Sequence, residues 1–227
     1  MRHPLRLLIS AGPTREPVDP VRFISNYSTG YMGAQLAAEA LARGHRVTVV
    51  SGPVTESMPS GMRLVSVSDA RGMEAAMRRA APRADAIIMA AAVSDFRLAR
   101  PRASKLQRRA RLTLRLEATP DILARVPGRE RQLRVGFALE MGAVVPAAMR
   151  KLHEKRLDLL VVQRLNGKGS PFGRGRVQAW LVARSERRPK TGEVVRRLGR
   201  VSKSEVARVL LDKIEELWYG QRRPTAG

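Results

Sequence analysis

The feature that most constrains the fold is a repeated alternation of short apolar runs with helical patterns. The runs are Leu5 to Ile9, His45 to Pro53, Met62 to Val67, Ala84 to Val93, Leu133 to Glu140 and Leu157 to Val162. Between them, Gly33 to Ala42, Asp69 to Ala80 and Pro146 to Lys155 carry apolar residues at helical spacing, with Asp69 placed to cap the second. Runs that are apolar on both sides of the pleat, joined by helices, predict a Rossmann-like parallel sheet with helices on both faces. Leu112 to Leu116 alternates as a half-exposed strand, and Thr119-Pro120-Asp121-Ile122-Leu123 opens a short helix. Arg176 to Ala183 and Glu193 to Leu198 form a hairpin extension, and Lys203 to Tyr219 is a closing helix with Ser202 or Ser204 as its cap.

The 227 residues, 44% of them hydrophobic, suffice for one substantial core, so residues 1–219 are read as a single domain and 220–227 as a flexible tail. No apolar run is long enough to span a membrane and no leader pattern is present, which points to a soluble, cytoplasmic protein. Absence of Cys excludes disulfides, thiol nucleophiles and Cys-based metal sites, and three scattered His do not build a metal site. The net charge of +23 suits either nucleic acid or small polyanions. It is spread along the chain, and at 4% aromatic content stacking platforms for single strands are scarce.

Two strand ends are candidates for a site, because open parallel sheets bind ligands beyond the carboxyl ends of their strands. After the first strand comes a loop of roughly twenty residues, a length that in compact domains is functional or disordered. It leads to a helix starting near Ser28-Thr29-Gly30, whose free N–H groups either meet an anion or are capped by Ser28 or Thr29. After the fourth strand, Ala91-Ala92-Val93-Ser94-Asp95-Phe96 offers small residues for close approach, and Asp95 either binds a ligand or caps a turn. Residues 97–111 read as a mobile basic flap on which Lys105 can close over phosphates. Lys151 and Lys155, four apart on a helix, share a face suited to a polyphosphate or to solvent. The Gly-rich stretch Asn166 to Gly173 lacks phosphate-loop spacing and is read as a turn.

Ser10-Ala11-Gly12-Pro13-Thr14-Arg15-Glu16, Asp19 to Asn26, Ser28-Thr29-Gly30 with Met32-Gly33, Pro120 to Leu123, Gly136-Phe137-Ala138 with Glu140, and Leu157-Asp158-Leu159 together resemble phosphopantothenoylcysteine synthetase of coenzyme A biosynthesis. The resemblance implies a ligase. The carboxylate of 4'-phosphopantothenate attacks CTP to give an acyl-cytidylate and pyrophosphate, and L-cysteine then displaces CMP; Mg2+ accompanies the nucleotide and ATP is the alternative to CTP. It also implies a homodimer, no flavin, and a phosphopantothenoylcysteine decarboxylase on a separate chain.

Carried over, Asn26 corresponds to the catalytic amide that bonds the activated carbonyl and assists amide formation, and Lys105 to the flap lysine that steadies the phosphates during acyl transfer to the nucleotide. Met89, Ala90, Ala91, Asp95, Pro120, Asp121, Ile122, Leu123, Phe137, Lys151 and Lys155 correspond to the nucleotide side. Gly12, Asn26, Ser28, Thr29, Gly30, Ala91 and Ala92 correspond to the phosphopantothenate side. The chain departs from the pattern at Tyr31, where relatives often carry Lys, and at Gln163-Arg164-Leu165, where they often read Ala-Asn-Asp. A diverged homologue that binds nucleotide or nucleic acid without ligase activity is the competing reading.

Overall fold

A computed structural model describes residues 3–165, 171–184 and 195–220. Twelve strands and five α-helices follow one another as β1 (Arg6–Ala11), β2 (Arg15–Asp19), β3 (Arg22–Ser25), α1 (Tyr31–Ala42), β4 (Arg46–Ser51), β5 (Arg63–Ser66), α2 (Ala70–Ala80), β6 (Ala86–Met89), β7 (Phe96–Leu98), β8 (Leu116–Ala118), α3 (Ile122–Arg125), β9 (Leu133–Glu140), α4 (Val144–Glu154), β10 (Leu159–Arg164), β11 (Val177–Ala183), β12 (Val195–Val201) and α5 (Lys203–Gly220) among the described residues.

The main sheet runs β12-β11-β10-β9-β6-β1-β4-β5. Its parallel part, from β10 to β5, is the doubly wound order in which the sequence reverses direction between β1 and β6. β11 and β12 add the expected antiparallel extension; the link between them, and most of the Asn166 to Gly173 stretch, lie outside the described residues.

Alternation within each strand feeds two cores. Leu7 and Ile9 of β1, Ile88 of β6 and Val161 of β10 pack with α1 and α5, while Leu8, Ile87, Leu160 and Val162 pack with α2, α3 and α4. Both faces of the central strands are therefore covered, which is why these runs contain almost no polar residue. Asp69 caps α2 by accepting from the Gly72 N–H at 2.7 Å, and Ser202 rather than Ser204 caps α5, accepting from the Glu205 N–H at 3.1 Å.

Two local expectations are corrected. The long segment after β1 is not an open loop, because it folds into the hairpin β2–β3. Asp19 closes its turn by accepting from the N–H groups of Val21 and Arg22 at 2.9 and 2.8 Å, a side-chain turn that Pro17 and Pro20 hide from any strand pattern. The alternating Leu112 to Leu116 forms no strand in the main sheet. Only Leu116–Ala118 pairs, with Phe96–Leu98, and both Leu112 and Leu116 stay exposed, so the alternation marks no buried face.

Candidate functional site

At the strand-order reversal, the chain ends of β1 and β6 continue towards each other. The Ala91 N–H donates to Ser10 Oγ at 3.1 Å, the Ala92 N–H to the Gly12 carbonyl at 2.9 Å, and the Ser94 N–H to Thr14 Oγ1 at 3.0 Å. The small side chains of Ala91 and Ala92 leave backbone accessible beside this seam. Above it lies an open cavity of about 550 Å³ whose wall includes Asn26, Ser28, Thr29, Met89, Ala90, Ala91, Ala92, Asp95, Pro120, Asp121, Ile122, Leu123, Phe137, Lys151 and Lys155. Residues expected at a site from segments far apart in sequence are thus brought to one wall.

Asn26 follows β3 and reaches across to the β6 side. Its Nδ2 donates to the carbonyls of Ala92 and Val93 at 3.1 and 3.0 Å. Both amide hydrogens are used, which leaves Oδ1 as the group Asn26 can offer a ligand. The side chain is therefore a tether between the hairpin and the strand end as well as a pocket residue.

The two lysines of α4 sit on one face as spacing required, yet neither is a free cation. Lys151 pairs with Glu140 at 2.5 Å and Lys155 with Asp121 at 2.8 Å. Asp121 also caps α3, accepting from the Ala124 N–H at 3.2 Å. Burial works to raise its pKa, but the Lys155 hydrogen bond and charge, with the backbone N–H groups, hold the carboxyl below the ordinary value. Each lysine is thereby oriented along the wall. Asp95, in contrast, makes no side-chain hydrogen bond or ion pair among the described residues.

Helix α1 begins at the pocket. Its N-cap is Gly30, at φ 87°, with no side-chain cap bond. A Cβ at Gly30 would sit 2.4 Å from Val54 Cγ1, so both the left-handed backbone and the contact select glycine. The expected choice between an anion and a Ser28 or Thr29 cap thus resolves to an uncapped first turn; Thr29 Oγ1 accepts only a longer bond, 3.3 Å, from the Tyr31 N–H. Tyr31 and Met32 stand on the cavity wall, and the Arg174 guanidinium lies over the Tyr31 ring at 5.7 Å while pairing with Glu56 at 3.2 Å.

Three expected residues are not on this wall. Gly12 and Gly30 shape the backbone behind it. Lys105 is carried elsewhere because its segment is fastened to the hairpin turn: the Leu106 N–H donates to Asp19 Oδ2 at 3.0 Å, the Arg102 N–H to the Val18 carbonyl at 2.9 Å, and Arg22 Nη1 to the Leu106 carbonyl at 3.2 Å. Asp19 is buried, which by itself raises its pKa, but the backbone N–H groups of Leu106, Val21 and Arg22 and the Arg22 charge hold it below the ordinary value. The basic stretch expected to be loose is therefore anchored at one carboxylate in this conformation.

Sequence reading missed Thr119, whose hydroxyl donates to the Ser94 carbonyl, and also Gln163, Phe172 and Lys203. Gln163 was noted only as a departure; it is buried at the end of β10, with Nε2 4.0 Å from Met32 Sδ. Nothing near Lys203 in sequence signals a site, since its burial is created by the distant Pro171–Gly173 segment.

No group of three His, Cys, Asp or Glu residues able to hold a metal occurs among the described residues, and no helix among them is long and apolar enough to cross a membrane. Residues 3–217 match the model of the DNA/pantothenate metabolism flavoprotein C-terminal domain. The chain is 41% identical over 171 residues to the coenzyme A biosynthesis bifunctional protein CoaBC of Vibrio parahaemolyticus, covering 73% of this chain and 43% of the relative. It is 43% identical over 162 residues to CoaBC of Escherichia coli K12, covering 69% of this chain and 40% of the relative. The chain spans about two fifths of the length of these curated relatives.

Among solved structures, the C-terminal domain of a CoaBC protein superposes with a TM-score of 0.78 at 33% identity, over 95% of this chain and 96% of the other. A Cab2 mutant in complex with phosphopantothenate-cysteine shares the fold with a TM-score of 0.73 at 17% identity, over 96% of this chain and 89% of the other. The match over nearly the whole chain, together with the shared fold, means that this chain belongs to the DNA/pantothenate metabolism flavoprotein C-terminal domain family, the family of the CoaBC C-terminal domain.

Proposed function

We propose that this protein is a phosphopantothenate–cysteine ligase acting in coenzyme A biosynthesis through a nucleotide-activated acyl intermediate. The observation that carries this reading is the convergence of Asn26, Ala91, Ala92, Asp121, Lys151 and Lys155 on one cavity at the strand-order reversal. Such a reaction needs anion binding, charge neutralisation and positioning more than a nucleophilic side chain. A cavity with two oriented lysines, an uncapped helix start and an open carboxamide oxygen supplies those functions without Cys or His.

In the first half-reaction the pantothenate carboxylate attacks the α-phosphorus of CTP and pyrophosphate leaves. Lys151 and Lys155 exchange part of their pairing with Glu140 and Asp121 for phosphate oxygens. In the second, the cysteine amine attacks the acyl carbon, the acyl–phosphate bond breaks as CMP departs, and the proton of the amine passes to the departing CMP phosphate or to water. Asn26 Oδ1 accepts an N–H of the incoming amine and so aims its lone pair, while Nδ2 keeps the hairpin on the Ala92 and Val93 carbonyls. Mg2+ would accompany the triphosphate and offset its charge, with Asp95, the one carboxylate of the described wall that makes no side-chain pairing, the residue that would face it. Lys105 joins the phosphates only when its segment leaves the Asp19 anchor.

Incubation of the protein with CTP or ATP, 4'-phosphopantothenate, L-cysteine and Mg2+ is expected to release pyrophosphate, with CTP the better substrate. No pyrophosphate with either nucleotide sinks the ligase reading and favours a homologue that binds nucleotide or nucleic acid without turning it over. The same reading places the protein in the cytoplasm, without flavin, and leaves decarboxylation of the product to a separate phosphopantothenoylcysteine decarboxylase.

We also propose that the protein works as a homodimer. Val21, Phe23 and Tyr27 on the β2–β3 hairpin, Phe96 on β7, and Leu112 and Leu116 are all exposed large apolar side chains. Their concentration on the hairpin and the small sheet beside it is more than scattered surface residues require. Sedimentation at micromolar concentration is expected to give a dimer, and Phe23→Glu a monomer; a monomeric wild-type chain removes this proposal.

A further inference from the structure

Lys203 opens α5 and is 4% exposed, yet it belongs to the cavity wall beside Pro171, Phe172 and Gly173. Its Nζ donates to the Pro171 carbonyl at 2.8 Å. Among the described residues it forms no ion pair, and Glu56, whose charge acts on it, is engaged by Arg174 at 3.2 Å. A largely buried ammonium with one carbonyl partner is costly, because its two remaining N–H groups have no hydrogen-bond partner or counter-charge among the described residues. Holding the Pro171 segment does not need that charge, since a neutral amide donor makes the same bond.

We infer that Lys203 is a phosphate-binding residue of the pocket, its free N–H groups meeting a phosphate oxygen at the end of the cavity that carries Tyr31 and the start of α1. The inference rests on the ligase reading for the identity of the ligands, but its evidence is the unmet charge. Burial pushes the Lys203 amine down to about 8, only partly offset by Glu56, so it is still an ammonium at neutral pH. An incoming phosphate replaces the missing counter-charge.

The phosphate has two sources, the nucleoside triphosphate and 4'-phosphopantothenate, and calorimetry separates them. The wild-type protein, Lys203→Gln and Lys203→Met are titrated with CTP and Mg2+, with 4'-phosphopantothenate, and with unphosphorylated pantothenate. Gln keeps a donor for the Pro171 carbonyl and Met keeps the length, so one variant covers for poor folding of the other. Loss of a charge-assisted bond is expected to weaken one of the two phosphorylated ligands about tenfold or more, with pantothenate unaffected. Unchanged affinity for both phosphorylated ligands, or equal weakening of pantothenate, overturns the assignment and reduces Lys203 to a wall residue while leaving the ligase reading intact. Failure of the wild-type protein to bind either phosphorylated ligand overturns both.

Discussion

Asn26→Asp is expected to slow amide formation by about 100-fold or more, the range seen when an oriented polar group at a reacting centre is removed, while pyrophosphate release falls much less. The substitution turns two favourable contacts into repulsive ones. Where Nδ2 now donates to the Ala92 and Val93 carbonyls at 3.1 and 3.0 Å, a carboxylate oxygen would face two acceptors. The side chain must swing away, and the amine loses its acceptor in the pocket. Rapid-quench measurement of the two half-reactions separately, with Asn26→Ala for comparison, checks this. Equal loss in both half-reactions would show that Asn26 serves as the tether of the hairpin and takes no part in acyl transfer.

Gly52→Ala is expected to destabilise the fold by about 3 kcal/mol or more, enough to deplete soluble protein, because overpacking against backbone has no side chain to yield. A Cβ at Gly52 would lie 1.8 Å from the Pro13 carbonyl oxygen and 2.9 Å from its carbon. The Gly52 N–H donates to the Ala11 carbonyl at 3.0 Å, so the end of β4 is pressed against the continuation of β1 that carries the pocket seam. Gly142→Ala is the control: nothing lies within 4 Å of its Cβ position, and its effect should stay within about 0.5 kcal/mol. Urea melts of the two variants decide the matter, and a Gly52→Ala curve matching wild type would refute the close-approach argument.

The elements buried on both faces were legible to within about two residues, because an apolar run flanked by turn residues has few other solutions; the exception is the run read to Val93, which leaves the sheet at Met89 where the chain turns to the seam with β1. β9 occupies Leu133–Glu140 as read, and α2 starts behind its Asp69 cap. Polar side chains that make their own local structure were not legible. Asp19 builds a turn between two prolines and fastens the 102–106 segment by accepting N–H groups from both, and neither act leaves a periodicity. Asn26, Ala91, Ala92, Lys151 and Lys155, which the family resemblance named, line one cavity, but the resemblance gave no sign that Lys151 and Lys155 are already paired with Glu140 and Asp121.

Sequence alone determined that the chain would form a doubly wound sheet, that β1 and β6 would end in small and polar residues, and that the helix after the first loop would begin in glycine. These follow from hydrophobic period and backbone sterics, which act between near neighbours. Tertiary structure decided which of the many cations stand at the pocket. Lys105, the favoured lysine, is held at the hairpin by the Asp19 anchor of its own segment, whereas Lys203, unremarked at the start of the last helix, is buried at the cavity. The charge of +23 could not rank them. What ranks them is desolvation, which exists for Lys203 only once the Pro171 segment has folded against its amine.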